Sequence, residues 1–363
     1  MARATSIEEL VFRLKLSYSY RNKAGYENLL GRIKPFGPSA VRSLVTWAVR
    51  ESHFCDSECS IDCAVLIDAR LTGDELLKYV GDPDEKVRVR ACNGLARLKD
   101  ARAIPYLRSL LKAPKHWMRC IAMHGLGDLG DEGSVDDLIS FLGSSDHNSQ
   151  ASFALASIGG IQVIDKLMSL LNDPNLEAQR WAIICLGSLR ATQALKPLVL
   201  SLSQESSETL PYVISALGKI GDVTVIPHLL PFCRASEPQV RKNATLALGS
   251  LPDASSITAV LPMLFDAESS VRIAAANALG KLRAAEATDV LNERLANDPE
   301  SNVRMACVEA LGEIGDPRAL EPIEGLRTRI RKLFRYKKQR KAAERAVMRA
   351  LYRIRSANGG LLQ

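Results

Sequence analysis

The chain of 363 residues is 47% hydrophobic, 25% charged and only 5% aromatic, with a formal charge of +7. That is ordinary globular composition with enough apolar side chains for a large core. No run approaches 18 apolar residues, which excludes a membrane-spanning helix, and the acids Glu8 and Glu9 near the start argue against a secretory leader. The charge is uneven: residues 1–50 carry nine basic and three acidic side chains, residues 327–355 carry thirteen basic side chains and Glu344 alone, and the middle is net acidic. Such asymmetry points to electrostatic partners.

In chain order, helix-like stretches fall at 7–16, 26–33, 40–50 and 61–71, interrupted by Pro35-Phe36-Gly37-Pro38. Residues 1–56 are expected to form an N-terminal helical cap, since the open end of a stacked array needs covering. Next comes His53-Phe-Cys55-Asp-Ser-Glu-Cys59-Ser-Ile-Asp-Cys63. On a helix these three cysteines share one face, and His53 could add a fourth ligand. Structural zinc sites draw paired cysteines from two separate segments, and no second pair is present, so small buried residues and no metal are expected here. The other cysteines, Cys92, Cys120, Cys185, Cys233 and Cys307, are isolated. They suit a reducing, cytoplasmic setting. A degenerate helix pair is expected at about 57–81.

From residue 82 to 326 one beat governs the chain. Arg recurs at Arg88, Arg119, Arg180, Arg241, Arg272 and Arg304, at intervals of 31 residues or twice that, with degenerate units near Gln150 and Pro211. The unit is a helix pair repeated about eight times. Leu-Gly pairs keep the same beat at Gly127, Gly187, Gly218, Gly249, Gly280 and Gly312. A mid-helix glycine costs about 1 kcal/mol relative to alanine, so its recurrence predicts close helix approach, with Ala182, Ala244, Ala275 and Ala306 on the same face. Asp-Pro pairs at 82, 173 and 298 are expected to open the first helix, with Asp as N-cap. Gly-Asp pairs at 130, 221 and 315 are expected to end it and cap the second. The recurring Arg reads as a structural element that pairs with acids of its own or a neighbouring repeat; the alternative is a ligand-facing row.

The run Asp298-Pro299…Val303-Arg304…Ala310-Leu311-Gly312-Glu313-Ile314-Gly315-Asp316, with Val271-Arg272-Ile273-Ala274-Ala275, resembles HEAT repeats of the phycobilisome-lyase type. The resemblance covers about two thirds of the chain. It implies an all-α fold, a right-handed α-α superhelix (a HEAT-like solenoid) over 57–326, with first helices convex and second helices lining the concave side. It also implies a bilin lyase subunit or phycobiliprotein-handling factor as one function, the only enzymatic reading favoured.

Residues 327–363 read as a basic C-terminal helix and tail. Arg327, Arg329, Arg331, Lys332, Arg335, Lys337, Lys338, Arg340 and Lys341 supply a candidate binding surface. Ala343, Ala346, Val347, Ala350, Leu351 and Ile354 form an apolar stripe at helical spacing that can cover the last repeat. Its partner would be an acidic protein, nucleic acid or an acidic membrane surface.

No phosphate-binding glycine loop, nucleophile elbow or zinc-protease motif occurs. None of the five histidines precedes Glu, which argues against the HEAT-type di-iron hydroxylases, and Trp117 and Trp181 do not align as the groove of a HEAT-like glycosylase. The expectation is a non-catalytic protein–protein scaffold that needs no cofactor and holds its partner on the concave face. A nucleic-acid-associated protein using the basic ends is the further alternative.

Overall fold

The structure, a computed structural model, describes residues 9–10, 13, 23–50, 54–144, 146–204, 208–333 and 337–359. Their side chains are described except at 23–26, 54–59, 204, 328–333, 337–340 and 342. All regular structure among the described residues is helical, with no strand. The chain divides into two units, 1–166 and 167–363.

In the first unit, Pro38–Arg50 buries Val41, Leu44, Val45, Ala48 and Val49. The stretch expected as one helix at 61–71 is two. Phe54–Val65 ends, and Asp68 caps Ala69–Leu77 by accepting the Leu71 N–H at 2.9 Å. Three first helices follow at Glu85–Arg97, His116–Leu129 and Asn148–Ile158. The second unit stacks Leu176–Ser188, Leu210–Ile220, Pro238–Leu248, Ser269–Lys281 and Ser301–Ile314 as first helices, ending with the basic helix Lys337–Ala357. Each is joined to a second element through a short 3-10 turn or a tight loop. Two second elements are short α-helices that pass into 3-10 turns, at 226–234 and 254–265, where Pro231 and Pro262 withhold a backbone donor. Leu186, Leu217, Leu248, Leu279 and Leu311 of the first helices and Leu198, Leu229, Leu264, Leu291 and Ile323 of the second elements are all buried.

The recurring glycine does what its cost suggests. A Cβ built on Gly187, Gly218, Gly249, Gly280 or Gly312 would lie 2.6–2.8 Å from the Cα of Ala216, Ala247, Ala278, Ala310 or Ala350 in the next first helix. Gly127 meets Ala154 the same way in the first unit. Ala216, Ala247, Ala278 and Ala310 stand two residues before the next glycine. Ala182, Ala244, Ala275 and Ala306, taken from the sequence as that face, are instead core residues. The basic helix joins the series through Ala350, and its whole stripe from Ala343 to Ile354 is buried.

The opening Asp is not the N-cap expected of it. It stands two residues earlier, and the caps are Asp84, Asn175 and Glu300. Its side chain accepts the backbone N–H of the cap residue, at 2.9 Å from Asp84 to Asp82, 2.8 Å from Asn175 to Asp173 and 3.0 Å from Glu300 to Asp298. This Asx turn fixes the entry angle of the helix. Two of the three Gly-Asp aspartates cap the 3-10 turns, Asp222 accepting from Thr224 N and Asp316 from Arg318 N, whereas Asp131 makes no capping bond and accepts from Arg108 instead.

The recurring Arg ties these turns together. Its Nη1 donates to the two carbonyls that open its own repeat: Asp82 and Pro83 for Arg88, Ala235 and Ser236 for Arg241, Asp266 and Ala267 for Arg272, Asp298 and Pro299 for Arg304. In two of the repeats its other edge also reaches the opening Asp of the following repeat. Arg241 clasps Asp266 through two bonds of 2.7 and 2.9 Å, and Arg272 clasps Asp298 at 2.8 and 3.0 Å. Bidentate pairs of this kind are directional as well as strong. The Arg241 guanidinium holds the Asp266 carboxyl below the usual carboxylate range. Stability from that pair is therefore present above the ordinary range and is lost as pH falls through the lowered value. Arg180 departs from the pattern, pairing with Glu177 at 2.6 Å and lying 5.0 Å over the Tyr212 ring.

Candidate interaction groove

On an α-helix, the residues three before and one after the recurring glycine are four apart, so they share one face beside it. In the second unit these are Ser215 and Lys219, Leu246 and Ser250, Asn277 and Lys281, Glu309 and Glu313. The glycines let the helices close until backbone meets alanine, so these longer side chains flank a trough. The first groove, about 270 Å³, is lined by Ser215, Lys219, Asn243, Leu246, Asn277 and Lys281 over a floor at Gly218, Ala247, Gly249 and Ala278. Lys281 Nζ donates to Ser250 Oγ at 2.8 Å, and Asn243 Nδ2 to the Pro211 carbonyl at 3.0 Å. Leu246 is 41% exposed between them.

A second groove of about 610 Å³ starts at the same Lys281 and runs along Gly280, Arg283, Gly312, Glu313, Tyr352 and Arg353. Arg283 is held at φ 52° in the left-handed region that Gly130, Gly221 and Gly315 occupy in other repeats. A side chain there costs roughly 1 kcal/mol, and it places a guanidinium on the groove wall. Both grooves open on the first-helix layer. The resemblance implied a partner surface on second helices; in this unit the helices that approach to backbone contact, and the troughs between them, belong to the first layer.

The expected site residues fall as follows. Arg88, Arg119, Arg241, Arg272 and Arg304 bond opening turns, and Arg180 bonds Glu177, so the row is engaged in the stack. In the basic segment, Arg327 and Lys341 are exposed, while the side chains of Arg329, Arg331, Lys332, Arg335, Lys337, Lys338 and Arg340 lie outside the described residues. Further along the helix, Arg349 pairs with Glu309 at 3.4 Å, Arg353 with Glu313 at 3.9 Å and Arg355 with Glu324 at 2.5 Å. His53 and the side chains of Cys55 and Cys59 also lie outside the described residues; Cys63 is buried. Burial pushes the thiols of Cys92 and Cys307 up to about 12 and that of Cys233 to about 11, so these three are inert core residues. No described helix is long and apolar enough to cross a membrane. The groove residues were missed in the sequence, although a signal existed for Ser215, Lys219, Leu246, Asn277 and Lys281, which sit at fixed offsets from Leu-Gly pairs.

Comparison with known proteins agrees with this architecture. HEAT repeats match at residues 73–158, 164–237, 226–304 and 266–336. No curated protein sequence matches the chain. Among solved structures, yeast importin-β (Kap95p) is 12% identical with a TM-score of 0.58, over 96% of this chain and 57% of that one. An engineered protein is 21% identical with a TM-score of 0.38, over 96% and 98% of the two chains. The CpcE–CpcF complex of phycocyanin lyase from a Nostoc species is 17% identical with a TM-score of 0.34, over 78% and 94%. Of these, the importin-β likeness alone bears on the fold, and it bears on nothing else. Matched over most of its length by that repeat, the chain belongs to the HEAT-repeat family.

Proposed function

We propose that this protein is a non-catalytic interaction scaffold that holds a protein partner along the first-helix face of residues 167–363. The observation that carries the reading is the pair of neighbouring grooves that share Lys281, the first lined from Ser215 and the second reaching Arg353. A trough walled by amides, hydroxyls and one half-exposed leucine suits an extended segment: the polar groups fix its path and Leu246 anchors an apolar side chain. Lys219, Lys281 and Arg283 line the grooves, while Glu309 and Glu313 pair with Arg349 and Arg353, so the partner segment is acidic. The basic C-terminal helix supports an anionic partner less directly, because Arg349, Arg353 and Arg355 already face glutamates.

Charge reversal tests the reading. Lys219 and Lys281 are exposed, so Lys219→Glu with Lys281→Glu is expected to leave helix content unchanged. Capture of the native partner from host lysate should fall at least about tenfold relative to the unaltered chain, as for loss of attractive rim charges and gain of repulsive ones. Equal recovery of the same partner by both proteins would place its site elsewhere.

A further inference from the structure

A cluster in the first unit stands apart from the groove. His116 and Cys120 lie one turn apart on His116–Leu129, and His147 is the N-cap residue of the next first helix. Cys120 Sγ is 3.5 Å from His116 Nδ1, and the His116 and His147 rings are 4.5 Å apart between centroids. One donor atom from each of the three residues lies within 4.8 Å of the other two. We propose that His116, Cys120 and His147 bind a zinc-class divalent ion that bridges two adjacent repeats.

The donor set fits such an ion. One thiolate and two imidazoles are the borderline-soft ligands that zinc prefers. Zinc–nitrogen bonds of about 2.0–2.1 Å and a zinc–sulfur bond of about 2.3 Å would set tetrahedral ligand separations near 3.4–3.6 Å. Side chains now within 4.8 Å need to close by about 1.4 Å at most, a rotamer adjustment. His116 is already oriented: its Nε2 lies 2.8 Å from the Asp146 carbonyl, which can only accept. Nε2 therefore carries the proton, and the Nδ1 lone pair faces Cys120. Metal-bound histidines are held by such a second hydrogen bond. Three protein ligands leave a fourth position for water on the exposed His116 side.

The repeat stack explains only part of the cluster. His147 Nε2 accepts from Arg119 Nε at 3.1 Å, standing where Asp266 and Asp298 serve Arg241 and Arg272. That accounts for an acceptor at 147. It does not account for His116 and Cys120, whose counterparts in other repeats are Glu85 and Val89, Glu177 and Trp181, or Ser269 and Ile273. The guanidinium of Arg119 opposes a cation at this point and weakens its binding. The ion would take the one imidazole lone pair of His147 from Arg119, which keeps its Nη1 bonds to the Ala113 and Pro114 carbonyls.

Cobalt(II), a spectroscopic stand-in for zinc, tests the site in the full chain. Titration should give one equivalent of bound cobalt with a near-ultraviolet thiolate-to-cobalt charge-transfer band, and equimolar zinc should abolish it. Cys120→Ser should remove the band. His116→Asn, at an exposed position, should weaken cobalt binding about 10-fold or more with unchanged far-ultraviolet circular dichroism. No band at saturating cobalt would overturn the proposal. So would a band that survives Cys120→Ser, which would place the thiolate at another cysteine.

Discussion

Replacing Asp298 by Ala is expected to destabilise the 167–363 unit by about 3–5 kcal/mol, the cost of removing one partner from a buried ion pair. Asp298 is 2% exposed, and its carboxylate receives both Nε and Nη2 of Arg272 together with the Glu300 N–H. Truncation leaves the buried Arg272 cation with only its carbonyl bonds to Asp266 and Ala267. It also loosens the turn whose carbonyls hold Arg304. Asp298→Asn keeps the turn acceptor without the charge, and should recover about 1 kcal/mol of the loss. Urea denaturation followed by circular dichroism reads the effect. An Asp298→Ala midpoint equal to that of the parent chain would show that the clasp contributes nothing to stacking.

Gly280→Leu is expected to cost about 1–3 kcal/mol through overpacking. Even a Cβ there would lie 2.7 Å from the Ala310 Cα and 3.1 Å from its Cβ, and the opposing atom is backbone, which cannot swing aside. Gly325 provides the contrast, because it is exposed on the last second helix with nothing within 4 Å of an added Cβ. Gly325→Ala should be neutral or stabilise by up to about 1 kcal/mol. Both are measured by the same denaturation. Similar effects at the two positions would mean that helix propensity, not close approach, governs the recurring glycine.

These two sites also mark what the sequence made legible. The Leu-Gly beat announced a close contact because a repeated conformational cost needs a repeated packing gain. The Arg beat pointed to recurring partners because a charge recurring inside an apolar pattern needs them, and the ones most often met are the opening carbonyls of its own repeat. The partners were harder to read. Asp266 and Asp298 serve three groups at once, and Asp-Pro alone suggests a simple N-cap. The alanine opposite each glycine lies about thirty residues downstream, in the next helix, where local periodicity says nothing.

The groove stayed hidden for a similar reason. A helical pattern tells which face is buried, but not which of two layers packs more tightly. Lys219, Asn277 and Lys281 belong to no sequence motif of their own and come to line one groove through the packing of their helices. His116 and Cys120 show a one-turn spacing on their own helix, yet His147 becomes their neighbour only through stacking.

Site-specific photo-crosslinking tests the central claim most directly. A photoreactive residue is placed at Leu246 on the first-helix trough, or at Leu200, which is 55% exposed on a second helix of the same unit. The scaffold account predicts that the partner is crosslinked from position 246 and not from position 200. Crosslinking from position 200 alone would contradict it and return the partner to the second-helix layer.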